Sequence, residues 1–232
     1  MKKSAFLIGI VFVLISCNSG NKEPLDSTTN AKSEVAKSYD CLKEYQEDYS
    51  KLLSKEEMAS VYPFSFDDAK VKLKAGKFGS HIYTWPSDRP VVEQEIQGRN
   101  IKSSDYNSMG VALLSFYSDD IEIESVLEEF NMAYKQLSEE EQKKIQDNLD
   151  KQSEDVRKSG MKMMEKRMKE KWDAVENVGT SAWYKWSDRW GGELAVLAGR
   201  AKFYIRLKIS DNSSENLAIA EKLAEKILEK CN

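Results

Sequence analysis

A single histidine, His81, means that any Ser-His-Asp or Cys-His mechanism in this chain would have to pass through one imidazole. No Gly-x-Ser-x-Gly nucleophile elbow and no phosphate-cradling glycine loop accompanies it. Asp67-Asp68 and Asp119-Asp120 are the adjacent carboxylates that acid/base chemistry would need. Asp119-Asp120, however, directly precedes a helical segment, where carboxylates cap free backbone N–H groups and complement the helix dipole. Asp67-Asp68 falls in a turn between elements. Three cysteines and one histidine, at positions 17, 41, 231 and 81, do not make the Cys/His cluster of a zinc finger, a zinc ribbon or a His-rich metal site. The expectation is therefore a protein without catalytic residues, metal or cofactor, in which His81 has a structural place.

Tryptophan is the residue type that stands out. Trp172, Trp183, Trp186 and Trp190 lie within 19 residues of one another. Strand alternation places Ala182, Tyr184 and Trp186 on one face and Trp183 with Lys185 on the other. Trp190 falls in the turn Asp188-Arg189-Trp190-Gly191-Gly192. Exposed tryptophans beside Arg and Lys are the anchors that protein interfaces use, and such rings also stack on sugars. Trp183, Lys185, Arg189 and Trp190 are accordingly the candidate interface; the alternative is that a helix covers both tryptophans. The segment 157–171 carries seven basic and two acidic residues interleaved with Met161, Met163, Met164 and Met168. Such a face can lie on anionic lipid or receive a partner helix, or it can pack on its own sheet with the lysines in water.

The N-terminus is read most directly. Met1-Lys2-Lys3-Ser4 precedes an apolar run from Ala5 to Ile15, and Ser16-Cys17-Asn18 breaks it. As a helix that run rises only about 16 Å, roughly half the hydrocarbon core, so it has the grammar of an export signal rather than of a membrane span. Leu14-Ile15-Ser16-Cys17 resembles the lipobox of bacterial lipoproteins over about 20 residues of chain. The resemblance implies cleavage before Cys17, lipidation of that cysteine and a lasting anchor, because each buried methylene adds about 0.8 kcal/mol. Asn18 stands where an aspartate is the usual inner-membrane retention signal in enteric bacteria, so the resemblance implies the outer membrane of a Gram-negative bacterium. The folded domain would then lie in the periplasm or at the surface. With Cys17 in the anchor, Cys41 and Cys231 form an even pair, and an oxidising compartment predicts a disulfide between them. Two buried thiols are the alternative, since Cys231 continues an apolar helical stripe.

The chain has 232 residues, 41% hydrophobic and 32% charged, the composition of a water-soluble globular protein. Its net charge is −4, and removing residues 1–16 takes two lysines away and leaves −6, which excludes a general nucleic-acid binder. Three regions follow: a signal peptide (1–16), a polar lipidated tether (17–37) and an α+β globular domain (38–232). Leu42, Tyr45, Tyr49 and Leu52 predict a first helix, and the capping box at Ser54-Lys55-Glu56-Glu57 a second, ended by Pro63. Alternating segments predict strands over 69–75, 79–86 and 109–117, with a long polar connection at 87–107, followed by a helix over 121–137. A capping box at Ser138 opens one long amphipathic helix over 138–172, with Gly160 as its kink. Strands over 180–187, 193–198 and 201–209 follow, the last two joined by a tight turn at Gly199-Arg200, and a helix over 214–230 closes the chain.

Ser80-His81-Ile82-Tyr83-Thr84-Trp85-Pro86-Ser87-Asp88-Arg89 matches Ser181-Ala182-Trp183-Tyr184-Lys185-Trp186-Ser187-Asp188-Arg189 once one residue is skipped. This points to two related β-β-β-α units, 38–137 and 173–232, around the inserted helix. The architecture expected is antiparallel sheet covered by helices on one side. The functional expectation is a lipid-anchored, non-catalytic envelope module that binds a protein or a cell-wall glycan and no nucleic acid. The alternatives are a protective, inhibitor-type lipoprotein that blocks an enzyme, and a carboxylate-based enzyme acting on wall glycan.

Overall fold

Nine strands appear among the described residues, seven of them in one antiparallel sheet of order β1-β2-β5-β9-β8-β7-β6. The computed structural model describes residues 38–90, 92–96, 99–103 and 105–231. The signal-like segment, Cys17 and the tether lie outside the described residues. The strands are β1 (Lys70–Lys74), β2 (Ser80–Pro86), β3 (Val92–Ile96), β4 (Arg99–Ser103), β5 (Tyr106–Phe116), β6 (Asp173–Val175), β7 (Ser181–Ser187), β8 (Gly191–Ala198) and β9 (Ala201–Lys208). The helices are a first 3₁₀ helix (Asp40–Glu47), α1 (Tyr49–Leu52), α2 (Lys55–Val61), α3 (Ile123–Tyr134), α4 (Glu139–Leu149), α5 (Glu154–Lys169), α6 (Ser213–Leu228) and a short closing 3₁₀ helix (Glu229–Cys231). The fold class is α+β. No helix among the described residues is long and apolar enough to cross a membrane.

Local chemistry explains the helix starts. At Ser54 the capping box is complete: Ser54 Oγ accepts from the Glu57 N–H at 3.1 Å, and Glu57 Oε2 accepts from the Ser54 N–H at 2.7 Å. Ser138 and Glu141 repeat it. Asn212 caps α6 by accepting from Ser214 and Glu215.

Several expectations are corrected. The span 138–172 is not one helix: α4 and α5 form a helical hairpin that turns at Asp150–Ser153, where Ser153-Glu154-Asp155 starts a new acidic first turn. Gly160 lies inside α5, and its missing Cβ admits the side chain of Leu149 from α4. The connection 87–107 contains a separate hairpin, β3–β4. The stripe Leu42–Leu52 is split between the 3₁₀ helix and α1, although Leu42, Tyr49 and Leu52 are all buried. Asp119-Asp120 do not cap α3, whose cap position is Glu122; Asp119 pairs with Lys43 and Arg200. The second sheet unit has four strands rather than three, because β6 precedes β7.

Helices cover both faces of the sheet, not one. On the first face, Trp85, Met109, Val111, Leu194, Val196, Phe203 and Ile205 meet Leu42, Tyr49, Leu52 and Met58 and the α6 stripe Ala220, Leu223, Ala224 and Ile227. On the second, Ala195 and Leu197 meet Val126, Phe130 and Tyr134 of α3, together with Trp172. Both sides of β8 are therefore apolar, as a strand buried on two faces requires. A bulge in β5 lies between Ala112 and Ser115, with Leu113 at φ 58°. It returns Leu114 and Phe116 to the face that Val111 occupies. Tyr49 clamps it, its hydroxyl accepting from the Leu114 N–H at 2.7 Å.

His81 is buried, with Nδ1 2.9 Å from the Leu53 carbonyl, so that nitrogen carries the proton it donates. Cys41 and Cys231 are joined by a disulfide, their Cα atoms 5.8 Å apart. β2 and β5 approach so closely at Gly110 that a Cβ there would collide with the His81 carbonyl and the Ile82 backbone. Gly110→Ala is expected to force this ladder apart and lower stability by about 1–3 kcal/mol. Thermal unfolding checks this, and an unchanged midpoint would mean that the strands separate without cost.

Candidate functional site

The turn between β7 and β8 is pinned from three directions. Ser187 Oγ accepts from the Trp190 N–H at 3.3 Å, and Asp188 Oδ1 accepts from Trp186 Nε1 at 2.9 Å. Gly191 takes a φ of 78°, a conformation that a side chain would strain. The buried ammonium of Lys208 donates to the Arg189 carbonyl at 3.3 Å. The turn so held projects Trp190 into solvent, where it is 73% exposed and the Arg189 guanidinium lies 4.6 Å from its ring centroid.

Beside this turn opens a cleft of about 800 Å³, lined by Trp186 and Trp190, by Lys185, Glu193 and Arg206, and by Glu170 from the strand-entering segment. Its floor is a charge ladder across three strands. Lys185 on β7 stands opposite Glu193 on β8, which stands opposite Arg206 on β9. Glu193 Oε2 accepts from Arg206 Nε at 2.7 Å, and Lys185 Nζ lies 3.3 Å from Glu193 and 3.4 Å from Glu170. The same ammonium sits 4.5 Å from the Trp172 ring centroid.

Behind the turn lies a second, more buried network. Asp105, 14% exposed, accepts from Arg89 Nε at 2.6 Å and from Lys208 Nζ at 2.9 Å; those two side chains are 12% and 6% exposed. Burial works against the Asp105 carboxylate, but the hydrogen bonds from Arg89 and Lys208 outweigh it and hold its carboxyl below the ordinary value. Arg89 also donates to Asn107 Oδ1 and to the Tyr106 carbonyl. The network therefore ties the β2 and β5 ends to the Trp190 turn.

Of the four candidate interface residues, Lys185 and Trp190 line one cleft and Arg189 stacks on Trp190. Trp183 does not join them. It lies half-buried under α3, donating from Nε1 to Asn131 Oδ1 at 2.9 Å and facing the Tyr134 ring. Trp172 is core, and Trp186 packs against the first core while lining the cleft. The reading of the residues missed Glu170, Glu193 and Arg206 in the cleft and Arg89, Asp105 and Lys208 behind it. One signal was available: a two-residue turn at Gly199-Arg200 pairs Ala198 with Ala201, and counting back along both strands brings Glu193 opposite Arg206. Among the described residues, no three His, Cys, Asp or Glu side chains are grouped to hold a metal ion. No protein-family model, curated protein or solved structure matches this chain.

Proposed function

We propose that the protein is a cell-envelope lipoprotein, anchored through Cys17, whose folded domain is a non-catalytic module that binds an envelope protein at the Trp190 turn. The observation that carries this reading is the exposure of Trp190 on a turn braced by Ser187, Gly191 and Lys208. An exposed aromatic ring beside an arginine, at the lip of a cleft, has the make-up of an interface anchor, and the braced backbone beneath it has little entropy to lose on contact. Trp190→Ala is expected to weaken partner capture by at least about 2 kcal/mol, roughly 30-fold in Kd, with an unchanged melting temperature. Cross-linking in intact cells, followed by recovery in detergent, checks this; equal capture by the variant would overturn the assignment.

A glycan-acting enzyme is the second reading, since Glu170 and Glu193 share a cleft with two tryptophans. Against it, Lys185 lies between the two carboxylates and Arg206 holds Glu193, so both acids are engaged as ion pairs. Recovery of wall polysaccharide in place of a protein would reopen that reading.

A further inference from the structure

The ends of the sheet carry different surfaces. The described chain starts at Ser38, at the end where Lys43 and Arg200 both pair with Asp119 and where the Gly76 N–H donates to the Gln46 carbonyl. The β1–β2 turn therefore lies at the end from which residues 17–37 depart. The Trp190 turn and the Arg89–Asp105–Lys208 network lie at the opposite end, one strand length or about 25 Å away.

At the first end the β1–β2 hairpin is basic and apolar together. Residues 69–87 contain four lysines, Lys70, Lys72, Lys74 and Lys77, and no acidic residue. Phe78, at the turn, is 69% exposed, and Val71 and Leu73 are more than half exposed on the strand face opposite the lysines. Lysines on an edge strand ordinarily prevent it from pairing with other sheets. That role accounts for the lysines but not for a bare phenylalanine at the tip.

We infer that this hairpin is a second membrane contact, seating Phe78 in the interfacial layer of an anionic bilayer while Lys72, Lys74 and Lys77 meet the headgroups. The inference rests on the lipid-anchor reading, and two features identify a bilayer as the occupant. The tether leaves from this end, and the hairpin's charge is opposite to that of anionic lipid, near which each basic side chain gains attraction. An aromatic ring beside lysines suits a layer that is half apolar and half polar. With this end against the membrane, the Trp190 cleft faces outward.

The test uses the full-length protein, purified from cells in detergent and reconstituted into phosphatidylcholine vesicles with or without phosphatidylglycerol. A nitroxide is placed at Phe78→Cys or, at the far end, at Asp88→Cys. In the anionic vesicles the label at position 78 should show a several-fold fall in collision with an aqueous nickel complex, and the label at 88 none. Lys72→Glu with Lys74→Glu and Lys77→Glu should return position 78 to the aqueous value, with thermal unfolding reporting that the variant is folded. A label at 78 that stays aqueous in anionic vesicles overturns the contact, as does shielding that survives the three charge reversals. The mass of the purified chain reads lipidation at Cys17 separately. A shielded label on an unlipidated chain keeps the hairpin contact and removes the anchor reading, whereas a lipidated chain with an aqueous label does the reverse.

Discussion

Replacing Cys41 and Cys231 by alanine is expected to lower the unfolding free energy by about 5 kcal/mol, because the bond closes a loop of sequence separation 190. The effect acts mainly on the unfolded chain, whose two ends it holds together, and in the chain-entropy model it grows with the logarithm of loop length. The native neighbourhood is already built: the 3₁₀ helix at Asp40–Glu47 lies against the closing one at Glu229–Cys231, and Lys230 Nζ pairs with Glu57 Oε1 there. The folded state should therefore keep its structure while its stability falls. Denaturant unfolding of the wild type with and without reductant, beside the double alanine variant, measures this. A loss below about 1 kcal/mol would place the bond outside the cooperative unit that unfolds.

Asp105→Asn is expected to cost about 3–5 kcal/mol at neutral pH, because it leaves the ammonium of Lys208 and the guanidinium of Arg89 charged and buried without their shared carboxylate. Asp211 also reaches Arg89, at 3.4 Å, but it is largely exposed and compensates little. Since the Asp105 carboxyl sits below its ordinary value in the folded state, its contribution is fully present above the unfolded value, about pH 4, and is lost as the pH falls through the folded one. The difference between wild type and variant should therefore be widest at neutral pH and narrow below about pH 4. A pH-independent difference would mean that the charge on Asp105 is not what stabilises the turn. Because Lys208 also holds the Arg189 carbonyl, the variant should loosen the Trp190 turn and weaken partner capture as well.

Much of the fold was legible locally. Both serine capping boxes form with the bonds that their spacing implies, and of the stripe Leu217, Ala220, Leu223, Ala224, Ile227 and Cys231 expected on the terminal helix, the middle four are buried while Leu217 and Cys231 are half-buried against the same core. Tyr83 and Trp85, like Tyr184 and Trp186, face the first core, as strand alternation required. The Ser153 helix start was legible too, but the amphipathic pattern on either side of it hid the break between α4 and α5.

Within one turn or one hairpin, the chain's local pattern was enough: it placed the helix starts at Ser54 and Ser138, the strands β2, β7, β8 and β9, the tight turn at Gly199-Arg200, and the residues that share a strand face. These follow from backbone periodicity and side-chain capping, which act over a few residues. Long-range packing set the rest: β5 pairs with β9, α3 and α6 take opposite faces, and Trp183 is half-buried under α3 while Trp190 is bare. The Leu113 bulge belongs to the same class, since it depends on Tyr49, 65 residues from its bonding partner Leu114. So does Asp105, joined to Lys208 across 103 residues. Such choices depend on which edges and faces remain unburied after the local elements form, and no short stretch of chain carries that information.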